Sequence, residues 1–95
     1  MLLVPPSFTT KPSNKTVVEN KVVAFYCAAI GNPVPKITWM KDGKIVSQGE
    51  SLSFGAIRSK AGKYWCSVSN GLGVAVNASA HLDVQCEYCN FILEK

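Results

Sequence analysis

The sequence predicts an all-β protein built as a sandwich of two sheets, and three observations carry that prediction. Eleven of its 95 residues are valine, a β-branched type suited to a pleated surface, whereas runs of helix-forming Ala, Leu, Glu and Lys are absent. Apolar and polar residues alternate with a period of two through successive short segments. Clusters of Gly, Pro, Asn and Ser separate those segments at regular spacing, which gives about seven short strands and no sustained helical period. The length suits one domain with a modest core, and the chain shows neither an internal repeat nor a low-complexity stretch.

Each element follows in order. Pro5, Pro6 and Pro12 keep the first dozen residues extended and remove backbone donors, which predicts an edge strand with a break. "TVVEN" supplies a short strand and a turn. From Lys21 onward Val23, Phe25, Cys27 and Ala29 alternate as an inward face, with Tyr26 and Ala28 outward. "GNPVP", Gly31 to Pro35, is a loop. In "KITWMKDGK" Ile37 and Trp39 point inward, Thr38 and Met40 point outward, and Asp42-Gly43 forms a turn. Ile45 and Val46 begin a short strand. "SLSFGAI" places Leu52 and Phe54 on one face, and Gly55 allows a bulge before Ile57. "GKYWCSVSN" turns Tyr64, Cys66 and Val68 inward, so Trp65 and Ser67 face out. "NGLG" closes a hairpin, and the last strand runs from about Val74 to Val84 with Val76, Ala78, Ala80, Leu82 and Val84 inward.

Composition narrows the function classes. The formal charge is +4, but the basic residues are spread singly, without the basic run and interleaved aromatics of a nucleic-acid binder. No nucleic-acid partner is expected. The longest apolar run, "VVAFYCAAI" from Val22 to Ile30, falls far short of the roughly 20 residues that cross a bilayer, so it is read as a core strand. "MLLVPPSF" lacks a basic start and has an early proline pair, which does not make a complete signal peptide. The chain is read as a segment of a longer protein whose membrane anchor, if it has one, lies outside it.

Cys27, then Trp39, then "GKYWC" ending at Cys66, resembles an immunoglobulin domain. The "GNPVPKITWMKDGK" segment and the "SNGLG" hairpin look like the intermediate-set subtype of adhesion molecules, receptor kinase and phosphatase ectodomains, and muscle proteins. The resemblance covers about residues 6–85, leaving 1–5 and 86–95 as flanks. It implies a Greek-key sandwich, a disulfide between Cys27 and Cys66 joining the sheets, Trp39 packed on that bridge, and Tyr64 as a corner tyrosine bonded back to the backbone. A bridge across about 40 residues contributes roughly 4 kcal/mol in the chain-entropy picture and points to an oxidising compartment. Two departures stand out. Lys60 occupies a position where the family commonly has an Asp, so that ion pair is missing. The cysteines are also unusually close in sequence, so the strand called D in the family is expected to be truncated between Ser47 and Ser51.

No catalytic constellation emerges and no cofactor is implied. His81 falls on the outward face of the last strand with Asp83 two residues on, which is the spacing of ordinary surface alternation. "CEYC", Cys86 to Cys89, admits several readings. It supplies two zinc ligands where structural sites need four, with His81 as a third, and no metal is assigned. A redox role is opposed by Glu87 and by the lack of a following helix. A local disulfide, an interchain or interdomain bridge, or the start of a further module are the plainer readings. Two sequons, "NKT" at Asn14 and "NAS" at Asn77, fall at outward positions and are candidate N-glycosylation sites.

The outward face carrying Trp65, Met40, Thr38 and Ser67 is the candidate interface, because Trp buries much area for little conformational entropy. The opposing reading has Trp65 covered by Met40 and lysine stems as an ordinary surface aromatic. Lys41, Lys44, Arg58 and Lys60 gather at one end, partly offset by Glu19 and Asp42, as either a solvated rim or a weak contact for an acidic polysaccharide. The expected function is non-enzymatic: protein-ligand or homophilic recognition, or a spacer, in an extracellular or cell-surface protein. A structural domain of an intracellular muscle or cytoskeletal protein is the alternative.

Overall fold

A computed structural model describes residues 2–86. Among them nine strands form: β1 (Val4–Thr10), β2 (Lys15–Val18), β3 (Val22–Tyr26), β4 (Ala28–Asn32), β5 (Lys36–Lys41), β6 (Lys44–Gln48), β7 (Ser51–Gly55), β8 (Gly62–Ser69) and β9 (Val76–Gln85). A single 3-10 turn covers Arg58–Lys60. One layer has the order β2-β9-β8-β5-β6, and the facing layer is built from the pairs β1-β4 and β3-β7. The two layers make the sandwich that alternation in the sequence predicts.

The prolines explain how the first segment serves both layers. β1 pairs antiparallel with β4, and its register shifts between Val4 and Ser7, where Pro5 and Pro6 supply no ladder donors. The chain then crosses at the buried Pro12 to β2, which pairs in parallel with β9. Another change of partner falls at Cys27. β3 pairs with β7, β4 pairs with β1, and between them the Cys27 N–H donates to the Glu50 carbonyl at 2.8 Å.

The core is apolar throughout: among the described residues no polar or charged residue is buried, and Phe25, Cys27, Trp39, Cys66, Val68 and Leu82 are fully enclosed. Cys27 and Cys66 are joined by a disulfide across the two layers, with their Cα atoms 6.6 Å apart. Trp39 donates its Nε1–H to the Gly49 carbonyl at 2.9 Å, which satisfies the ring's one polar atom. Phe25 links this ring to Tyr64, with centroids 6.2 Å and 5.3 Å away.

Three details of the sequence reading are corrected. The segment read as one strand from Lys21 is two, β3 and β4, interrupted at Cys27 where the pairing partner changes, and β4 runs on through Gly31 and Asn32, read as loop, because Asn32 still pairs with Val4. Gly55 forms no bulge: β3 and β7 pair in unbroken register, and Ala56, not Ile57, is the next inward residue. The reason is two backbone bonds, Ala56 N–H to Lys21 O and Asn20 N–H to Ala56 O, each 2.7 Å, which carry the strand alternation past Gly55. Ile57 is therefore turned to solvent. The last strand starts at Val76, opposite Val68, and Val74 is 86% exposed in the preceding loop, where Gly71 and Gly73 take positive φ.

Candidate functional site

The outward face of the larger sheet follows from the alternation of β8. Tyr64, Cys66 and Val68 are buried, so Lys63, Trp65, Ser67 and Ser69 project from the opposite side. Register places Trp65 between Met40 on β5 and Ser79 on β9, and places Ser67 between Thr38 and Asn77. The four residues of the predicted interface thus adjoin one another. Trp65 is 38% exposed, and the Lys63 ammonium lies 5.0 Å from its ring centroid. Met40 and Thr38 are half-buried.

A shallow depression of about 250 Å³ opens on this face, lined by Met40, Gly43, Trp65 and Asn77. The turn at its edge is the Asp42-Gly43 pair, with φ of 54° and 77°. Positive φ at both central residues is the tight hairpin geometry whose twist matches the flanking strands, and it leaves no side chain at Gly43 to fill the depression. Asn77 is exposed at the opposite edge. A glycan on its amide would rise directly beside the Trp65 ring.

Asn14 is exposed, and its Oδ1 accepts the His81 backbone N–H at 2.9 Å, fixing the loop after β1 against β9. His81 itself is a surface residue. Among the described residues no three of His, Cys, Asp and Glu stand together as metal ligands. Cys86 is not a free thiol. Cys89 lies outside the described residues.

Tyr64 OH donates to the Lys60 carbonyl at 2.6 Å. Burial, and secondarily the Asp42 carboxylate, raise its phenol above the usual tyrosine value. The lysine that replaces the family's Asp makes a different contact: the Lys60 ammonium sits 5.0 Å over the Phe54 ring. The basic end is no uniform patch. Lys41 pairs with Asp42 at 2.9 Å, and Arg58 lies 3.9 Å from Glu19.

The sequence reading missed one constellation at the other pole. Asn70, in the β8–β9 loop, donates from Nδ2 to the Val4 carbonyl at 2.8 Å and the Pro33 carbonyl at 2.9 Å, while its Oδ1 accepts from Leu72 N–H at 3.1 Å. It ties that loop to β1 and to the β4–β5 connection. The nearby Asn32 Nδ2 donates to the Leu2 carbonyl, so two asparagines hold the entering chain. The only available signal, Asn before Gly, reads as an ordinary turn.

Residues 5–70 match the family profile described as "Immunoglobulin domain". The chain belongs to the immunoglobulin superfamily. This immunoglobulin domain is 39% identical to tyrosine-protein phosphatase Lar of Drosophila melanogaster over 84% of its own length and 5% of that protein. It is 36% identical to netrin receptor DCC of Rattus norvegicus over 87% of itself and 6% of the receptor. It therefore spans about a twentieth of the curated relatives it matches. Among solved structures it superposes on Sidekick-1 immunoglobulin domains 1-5 with a TM-score of 0.83, 28% identity and coverage of 90% of this chain and 21% of that one. It also superposes on the titin M10–Obscurin like 1 complex, with a TM-score of 0.81, 25% identity and coverage of 87% and 96%. The immunoglobulin domain is a non-catalytic module, and the enzymatic words in a relative's name do not extend to it.

Proposed function

We propose that this domain is an intermediate-set recognition module of an extracellular or cell-surface protein, which contacts a protein ligand or a second copy through the β9-β8-β5-β6 face. The observation that carries the reading is Trp65, a large ring on the solvent side of a strand whose core side is already complete, next to an open depression. Burying such a ring contributes strongly to association at little entropic cost. The Cys27–Cys66 bridge, the sequons at Asn14 and Asn77, and the resemblance to proteins named as receptors support the extracellular placement. Likeness to a chain of the titin M10–Obscurin like 1 complex favours a second reading, a structural module inside the cell, where the same cysteines would remain thiols.

Two measurements test these readings. Trp65→Ala, compared with the parent by sedimentation equilibrium and bead aggregation, should weaken association while shifting melting by less than about 0.5 kcal/mol equivalent. Unchanged association with a large loss of stability would make Trp65 a packing residue. Intact mass of protein from a secretory host, with and without reduction and glycosidase, should show the bridge and glycans. Free Cys27 and Cys66 with bare Asn14 and Asn77 would favour the intracellular reading instead.

A further inference from the structure

The sandwich is open along one side. β6 ends one sheet, β7 ends the other, and only Gly49 and Glu50 connect them, so among the described residues no strand covers the outer edge of β7. Where Ser47 and Ile45 pair with Trp39 and Met40, Val46 is the extra residue of a bulge, and it is 48% exposed. Between the two edges lies a groove of about 330 Å³. Its apolar surface is formed by Val46, Leu52, Phe54 and Tyr64, and its polar margin by Lys41 and Lys60, with no carboxylate among its lining residues. Phe54 and Tyr64 stack at 5.6 Å, and each carries an ammonium over its ring, Lys60 at 5.0 Å and Lys41 at 5.8 Å.

From this arrangement we infer that the groove docks an extended acidic peptide segment of a partner protein, which adds a strand to the free edge of β7. Among the described residues β7 presents one row of backbone donors and acceptors without a neighbouring strand, and it carries neither a proline nor a charged side chain that would repel an incoming strand. An added strand projects alternate side chains to one face. In this groove an apolar side chain meets Val46 and the part-exposed Phe54, while a flanking carboxylate meets Lys60 and another displaces Asp42 from Lys41, which it holds at 2.9 Å. Charge selects the occupant: a second copy would set Lys60 against its own counterpart, whereas an acidic segment neutralises Lys60 and competes with Asp42 for Lys41. The site lies away from the Trp65 face and does not depend on the role proposed for it.

The test is a titration of ¹⁵N-labelled domain with a capped octapeptide of alternating valine and glutamate, beside its valine–lysine counterpart. Amide shifts should concentrate in Ser51–Gly55, Val46 and Tyr64, with the glutamate peptide alone binding. Lys41→Glu combined with Lys60→Glu should weaken binding by about tenfold or more, as high salt should in the parent. Lys60→Glu alone serves if the double variant loses its dispersed spectrum, and Trp65→Ala should leave the titration unchanged. Equal binding of both peptides, shifts confined to the Trp65 face, or no shift at about 1 mM peptide would overturn the assignment. So would concentration-dependent broadening of β7 that the peptide does not relieve, since a second copy would then own the edge.

Discussion

Replacing Asn70 by Ala removes three hydrogen bonds that close the pole where β1 enters: two donated by Nδ2 to the Val4 and Pro33 carbonyls, and one accepted by Oδ1 from Leu72. A neutral hydrogen bond contributes a net ~0.5–1.5 kcal/mol, and because this side chain is half-buried, water replaces part of what is lost; the expected cost is about 1.5–2 kcal/mol. For a domain of this size that corresponds to a fall in melting temperature of roughly 6–15 °C. Urea unfolding followed by tryptophan fluorescence gives the free energy directly. Asn70→Asp sharpens the test. It retains the acceptor for Leu72 but turns a carboxylate toward two carbonyl oxygens, so it should be less stable than Asn70→Ala at neutral pH. Gly31 supplies a cross-check, because a Cβ there would lie 2.9 Å from Asn70 Nδ2, 3.1 Å from the Val4 carbonyl oxygen and 3.2 Å from Pro35 Cγ. Gly31→Ala must displace the asparagine amide, so its cost overlaps with that of Asn70→Ala, and the double variant should fall short of additivity by about 1 kcal/mol. An Asn70→Ala variant within 0.5 kcal/mol of the parent, or Asn70→Asp more stable than Asn70→Ala, would refute the clamp.

Tyr64→Phe removes the bond to the Lys60 carbonyl and should cost about 1 kcal/mol in urea unfolding, with the Trp65 face unaffected. The raised phenol of Tyr64 also gives a signed pH dependence: the folded state holds its proton more tightly than the unfolded chain does. That stability is complete below the ordinary tyrosine value near 10 and is lost as pH rises through the folded value; Tyr64→Phe should flatten this alkaline decline. Replacing Cys27 and Cys66 together by Ala should cost roughly 4 kcal/mol, read as a lower urea midpoint, since the bridge spans a sequence separation of 39. Gly43→Val places a β-branched residue at a φ of 77° and should cost about 1 kcal/mol or more in thermal melting, whereas Lys44→Gln at the adjoining position should be neutral.

The strand pattern was legible where a strand is wetted on one side only, as β3 and β8 are, and not in β6, which is exposed on both sides. Val23, Phe25 and Cys27 on β3 and β4's approach, like Tyr64, Cys66 and Val68 on β8, follow the period-two rule without exception. Reading failed where hydrophobicity and register disagreed. Ile57 is the more apolar residue, yet the ladder continuing past Gly55 turns the small Ala56 inward. The neighbours of Trp65 were readable because pairing places Met40 and Ser67's partner Thr38 on its face. The Asn70 clamp was not readable, since its bond to Val4 joins residues 66 positions apart and no local pattern encodes that contact. The lysine-margined groove was equally hidden, because it exists only where the edges of two sheets meet.

The parallel pairing of β2 with β9 has a mechanical consequence. The chain enters at the pole where Val4 faces Asn32 and leaves β9 at the far pole, where Gln85 faces Val18. Tension applied to the two ends therefore pulls β2 and β9 past each other along their common axis. The four register pairs from Lys15↔Leu82 to Val18↔Gln85 are loaded together in shear, whereas a peeling load would break them one after another. Rupture must then wait for several hydrogen bonds to fail at once, so a short ladder at the edge of the sheet sets the force the whole domain can bear.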